Sequence, residues 1–181
     1  MLALGAAGVL AGLSVLSGRG SRSAPDLELP EVVPSSMRRR LALALRHGGR
    51  LARFRDEPAA YRSFRSYVEE IQDFVEVPDA WVLVGELPTE VAKAEVLASL
   101  GVDFEDFDSY HRWYAQRSEI PDYPRESRWP SQLDLDDGSE FLWDGWHRFH
   151  SYVRSGHDTV PYYAHVEDHV AHALLGAGLG R

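Results

Sequence analysis

Four consecutive residues carry the strongest chemical signal in the sequence. Gly145, Trp146, His147 and Arg148 stand where a short apolar run, Phe141-Leu142-Trp143, gives way to a helical pattern. Glycine in that place permits a positive φ or a close approach of backbone to ligand. A helix that starts there points its first N–H groups and the positive end of its dipole at whatever occupies the turn. Arg148, on the first turn, adds a planar donor suited to two oxygens at once, and His147 beside it is another donor. These residue types in this order make a cradle for phosphate or a similar anion.

A second constellation is His165, His169 and His172, spaced i, i+4 and i+7 with Glu167 and Asp168 between. On one continuous helix they would share a face. They are expected to form an exposed or core-edge stripe, with a metal site as the alternative, since two histidines a turn apart can ligate a metal; the zinc-protease order is absent. His150 reads as a packing or hydrogen-bonding residue. Arg38, Arg39 and Arg40 form either a solvated helix face or a docking point for an acidic partner, the chain's own acidic body included.

The elements that must hold these groups follow from local patterns. Leu2 to Gly18 is uncharged and short for a spanning helix of roughly 20 residues, with Gly8 and Gly12 at small-xxx-small spacing. It is expected to be a frayed or partner-bound terminal helix, with a membrane anchor or signal as the alternative. Between Ser17 and Ser36 the composition of Gly, Ser and Pro predicts a linker. Ser35 or Ser36 then caps a helix to about Arg46, stopped at His47-Gly48-Gly49; the local alternation of Leu41, Leu43 and Leu45 leaves a strand open. From Pro58 the spacing of Tyr61, Phe64, Tyr67, Val68, Ile71 and Phe74 predicts a helix with one buried face. Trp81 to Val84 reads as a buried strand and Leu87 to Glu90 as a turn, with Thr89 capping a helix from Val91 to Leu100. Asp103 to Arg117 is a helix with an aromatic face, and Pro121, Pro124 and Pro130 exclude helix thereafter. Trp129 to Leu135 leads into a turn at Asp136-Asp137-Gly138. Trp146 to Arg154 is a helix ended by Gly156, and Thr159 to Ala164 is extended.

Length and composition bound the rest. At 181 residues, 44% hydrophobic and 26% charged, the chain suits one ordinary globular domain. It has no cysteine, which removes disulfides, thiolate nucleophiles and Cys-ligated metals and fits a reducing, cytoplasmic setting. Residues 1–65 hold 11 Arg against 5 acids, and residues 66–181 hold 8 basic against 23 acidic side chains, for a net charge of −9 overall. An acidic body argues against non-specific wrapping of nucleic acid.

Asp144-Gly145-Trp146-His147-Arg148, with Ser151 three residues on, then Gly156 and the Val160-Pro161 pair, resembles the ParB/sulfiredoxin superfamily. The resemblance covers residues 140–165 and fades over 80–139. It implies an α+β fold, a small mixed sheet flanked by helices, with nucleotide phosphates held by Gly145, Trp146, His147 and Arg148. The implied ligand is a nucleotide, with magnesium, or another phosphorylated small molecule, turned over by a hydrolase or small-molecule kinase. The Asp-Gly-x-His-Arg form is closer to that of serine kinases of the superfamily. Glu86, expected on the loop after the first strand, is the candidate catalytic acid. Without cysteine the sulfiredoxin reaction is out, and the roughly 16 residues after His165 are too few for the helix-turn-helix of partitioning proteins, which argues against DNA. The expected organisation is an apolar segment and linker (1–35), a helical extension (36–77), the ParB-like domain (78–166) and a tail helix (167–181). The competing function is a non-catalytic interaction or scaffold protein of a phage or mobile element.

Overall fold

The computed structural model describes residues 27–71, 78–122 and 129–181. Its centre is a five-stranded mixed sheet in the order β1-β2-β5-β3-β4, formed by Arg50–Arg53 (β1), Trp81–Pro88 (β2), Ser131–Leu133 (β3), Leu142–Asp144 (β4) and Thr159–Val166 (β5). Three pairings are antiparallel and β3 runs parallel to β5. Six helices surround it: Arg38–Arg46 (α1), Pro58–Ile71 (α2), Thr89–Ser99 (α3), Phe107–Ala115 (α4), Trp146–Arg154 (α5) and Asp168–Gly176 (α6). The chain is therefore α+β.

Strand alternation sorts the side chains into two layers. Leu83 and Leu87 of β2, with Val160, Tyr162, Ala164 and Val166 of β5, face the main core, where buried residues of every helix but α2 meet them. Val82, Val84 and Tyr163 point the other way, onto Phe54, Ala60 and the partly buried Tyr61 and Phe64 of α2. Both faces of β2 and β5 are covered, so β5 is apolar almost throughout, as strands buried on both sides are. The helices at α1, α2, α4 and α5 start within a few residues of their expected positions, and β2, β4 and β5 lie on the expected extended runs. Phe74 of the expected α2 face lies outside the described residues.

Three expectations need correction. Leu29 and Val33, read as linker, are 6% and 2% exposed and belong to the main core. Their segment is held by Arg38, whose guanidinium donates to the carbonyls of Leu29, Pro30 and Val33 at 2.7, 3.0 and 3.3 Å. Nor do the described residues of 36–71 and 167–181 pack apart from the 78–166 segment. β1 is hydrogen-bonded to β2 along its length, and α1 and α6 supply Leu41, Ala44, Val170 and Leu174 to the same core as the sheet. Thr89 does not cap α3 with its side chain: it is the first helical residue, and its hydroxyl donates to the His157 carbonyl. Among the described residues no helix is long and apolar enough to cross a membrane; residues 2–18 lie outside them.

Candidate functional site

The turn at Gly145 forms because β4 ends against α5 with no intervening loop. Gly145 has φ +88° and ψ +25°, a left-handed conformation that costs other L-residues roughly 1–2 kcal/mol. Space reinforces the choice. A Cβ here would lie 2.8 Å from Ser131 Oγ and 2.9 Å from both Nε and one terminal nitrogen of Arg148. Ser131 of β3 ties the turn down by donating to the Gly145 carbonyl at 3.0 Å, and the same carbonyl accepts the first helical bond, from Phe149 N. The N–H groups of Trp146, His147 and Arg148 are thus the donors that α5 itself cannot use.

These residues line a cleft of about 280 Å³, closed on its other sides by Ser66, Tyr67, Tyr114 and Trp129. All four expected phosphate-binding residues, Gly145, Trp146, His147 and Arg148, border it. Their roles differ from one another. Arg148 is only 7% exposed; it folds back beneath Gly145 and pairs with Asp144 one helical turn behind it. Its Nε is buried with no hydrogen-bond partner among the described residues, an orphan donor of the sort that an anion or water satisfies. His147 is exposed and its Nδ1 lies 2.9 Å from the Glu119 carbonyl, so Nδ1–H donates, the ring is fixed, and Nε2 can donate to an anion only in the imidazolium form. Arg148 consequently shapes the turn, leaving His147 and the backbone amides as the groups available at the cleft.

The floor behind the cleft holds a group that sequence reasoning placed in the core without its partner. His150 is fully buried. Its Nδ1 lies 2.7 Å from Nδ1 of His111 and its Nε2 3.4 Å from the Tyr110 hydroxyl, and Tyr114 stacks on it with ring centroids 3.9 Å apart. Either Tyr110 donates to His150 and His150 to His111, or the chain of donors runs the other way; in both, His150 is neutral. Burial, with His111 and His147 nearby, pushes its pKa down to about 3. Burial also lowers His111 and raises Tyr110 and Tyr114, so the whole chain stays uncharged. His111 stands 39 positions before His150, and nothing local to α4 marks it apart from its aromatic neighbours.

This buried histidine sets a pH dependence. The unfolded chain binds a proton at His150 near pH 6.5 and the folded one only near pH 3, so stability is complete above pH 6.5 and falls as pH drops toward 3. Between pH 7 and 5 the loss from this group is expected to be about 2 kcal/mol. Urea unfolding at the two pH values should show that difference, and His150→Phe should remove most of it.

The remaining candidates do not join the cleft. Glu86 is not on a loop: it lies within β2 opposite Pro161 and accepts from the Thr159 hydroxyl at 2.6 Å. It lines a different cleft, with Gly48, Arg50 and Glu57. The histidine stripe is also divided. His165 is in β5, its ring edge-on to Phe54 and Phe64 at about 5 Å, whereas α6 begins only at Asp168 and carries His169 and His172 on its exposed side. Among the described residues no group of three or more His, Asp or Glu is placed to hold a metal ion. In the cleft itself Asp144 is the sole carboxylate among the described lining residues, and it is paired to Arg148. A magnesium ion there would draw most of its ligands from phosphates and water, as magnesium usually does.

Arg38, Arg39 and Arg40 are not a solvated stripe. Arg38 holds the Leu29–Val33 segment. Arg39 pairs with Glu95 and Asp137 at 2.8 and 2.9 Å, and Arg40, 2% exposed, donates to the carbonyls of Asp134, Ser139 and Glu140. Arg39 and Arg40 thus dock onto the acidic body of their own chain, and Arg38 onto the segment before α1.

No family model, curated protein or solved structure matches this chain. The ParB/sulfiredoxin resemblance therefore stands on residues 140–165 alone.

Proposed function

We propose that the protein binds a nucleotide or another phosphorylated small molecule at the α5 turn, within a domain of the ParB/sulfiredoxin kind. The observation that carries the reading is the turn's geometry. A left-handed glycine sets three helix N–H groups that α5 cannot use beside a cleft of about 280 Å³, with His147 among its lining residues and the unpartnered Nε of Arg148 buried behind the turn. Anions are favoured at helix N-termini by the dipole and by donors already aimed outward. Tyr67, Tyr114, Trp129 and Trp146 give the same cleft ring faces on which a base or other flat group can lie.

The reading is one of binding. Glu86, the candidate catalytic acid, borders another cleft and lends the turn no catalytic group. The second reading, a non-catalytic interaction protein, has one observation in its favour: Trp143 is 56% exposed on β4, a strand at the edge of the sheet.

Thermal melting with nucleoside mono-, di- and triphosphates, with and without magnesium, tests the proposal. A ligand present at a hundred times its dissociation constant stabilises by about 2.7 kcal/mol, which in a chain of this length raises the melting temperature by roughly 5–10 °C. His147→Ala, at an exposed position, should keep the fold and reduce that rise. A panel that shifts nothing overturns the reading.

A further inference from the structure

We infer that the cleft at the α5 turn and a second cleft on α2 form one groove for a short single strand of nucleic acid, an inference that rests on the phosphate-binding reading above. The second cleft, of about 480 Å³, is bounded by one face of α2 and by Phe54, Arg55 and Trp129. Tyr61, Arg62, Arg65 and Ser66 share that face because they are spaced three and four apart. Ser66 and Trp129 line both clefts, so the two adjoin.

The chemistry of the second cleft is cationic and aromatic. Arg55, Arg62 and Arg65 border it, with no acidic side chain among the described lining residues. The Arg62 guanidinium lies over the Trp129 ring, 5.8 Å from its centroid. Arg55 pairs with Asp79 at 2.5 Å, but both are exposed, and a pair of that kind is exchanged for a ligand at little cost. Trp129 is a fixed platform: its carbonyl accepts from the Tyr152 hydroxyl at 2.9 Å, and the carbonyl of the next residue, Pro130, accepts from Ser63 at 2.9 Å.

The order of groups along the groove decides the ligand class. The anion donors of the α5 turn come first, with Tyr67, Tyr114 and Trp146 as rings, then Trp129, then Arg62 and Arg65 with Tyr61. A mononucleotide carries its phosphates together on one side of one base. Anion donors at two places with rings between them match a polynucleotide, in which bases stack on side-chain rings and the backbone tracks positive charge. The net charge of −9 does not forbid this, because charges beyond about 8 Å are largely screened at physiological salt and no acid is among the described residues that line the α2 cleft. Arg38, Arg39 and Arg40, occupied within the fold, play no part.

The test is a fluorescence titration with thymidine monophosphate and with thymidine di- and tetranucleotides, at about 50 and 200 mM salt. The tetranucleotide should bind at least about tenfold tighter than the monophosphate, the equivalent of one good base–ring stack. Its salt dependence should be steeper by about 0.7 in log–log slope for each added phosphate contact. Arg62→Ala with Arg65→Ala, both at exposed positions, should return the tetranucleotide to the affinity of the monophosphate and leave the monophosphate unchanged, while the two lysine variants restore part of the gain. A tetranucleotide that binds no tighter than the monophosphate, or a gain that survives the double alanine variant, overturns the groove. If the monophosphate still binds in a His147-dependent way, that result leaves the α5-turn reading in place; if neither ligand binds, both readings fall.

Discussion

Arg40→Ala should destabilise the protein by about 3–5 kcal/mol, the range seen when one partner of a buried charged pair is removed. Arg40 is 2% exposed, lies 3.3 Å from Asp137, and donates to three carbonyls of the loop between β3 and β4. Truncation would leave those carbonyls without their donor, remove a charge beside Asp137, and open a gap between α1 and the loop. In a chain of this length the melting temperature should fall by roughly 10 °C or more. Arg39, next to it, is the control. Its side chain is 54% exposed, and exposed pairs contribute about 0–1 kcal/mol, so Arg39→Ala should leave the transition nearly unmoved.

Gly145→Ala should be the most damaging substitution at the candidate site. The positive φ costs about 1–2 kcal/mol, and the added methyl meets Ser131 Oγ and the Arg148 guanidinium inside 3 Å, overpacking that adds about 1–3 kcal/mol. Gly156, at the other end of α5, separates these contributions. It too has positive φ, at +67°, but nothing lies within 4 Å of a Cβ there, so Gly156→Ala should show the backbone cost alone. Ligand binding should weaken about tenfold or more in Gly145→Ala, measured below its melting transition, because the methyl displaces the guanidinium that shapes the turn. Gly156→Ala should bind as the unaltered protein does.

How much of this was legible in the sequence depends on the range of the interactions involved. α5 was readable to the residue, since Gly145 and Gly156 bracket an apolar pattern of matching period, and the four residues of its first turn do meet at one cleft. α4 was likewise visible in its aromatic spacing. β1 was not, because Arg50-Leu-Ala-Arg53 has only two buried residues and is a strand by virtue of pairing with β2. His165 was misplaced for a related reason. Helical spacing from His165 to His172 is real in the sequence, but Val160 to Val166 is drawn into the sheet by β2, and the helix starts three residues later.

The arginines show the same limit from another side. Arg38, Arg39 and Arg40 look alike in sequence and end in three settings, because their partners stand at Leu29, at Glu95 and at Asp134 to Glu140. Composition also misled at Leu29 and Val33, where prolines and serines surround two residues that the core requires. At the site, the inward turn of Arg148 follows from Asp144 four residues earlier, a spacing present in the sequence and readable as an i, i+4 pair. The His111–His150 contact joins two helices and had no local signal.

The central claim, that the first turn of α5 holds a phosphate, is tested most directly by the amide resonances of Trp146, His147 and Arg148 during titration with a nucleoside triphosphate. These three N–H groups are the donors that the helix leaves open, and hydrogen bonding to a phosphate should move them further than any other amides, in a saturable way that His147→Ala weakens. Saturating nucleotide that leaves all three unmoved, or that perturbs only amides remote from Gly145, would contradict the account.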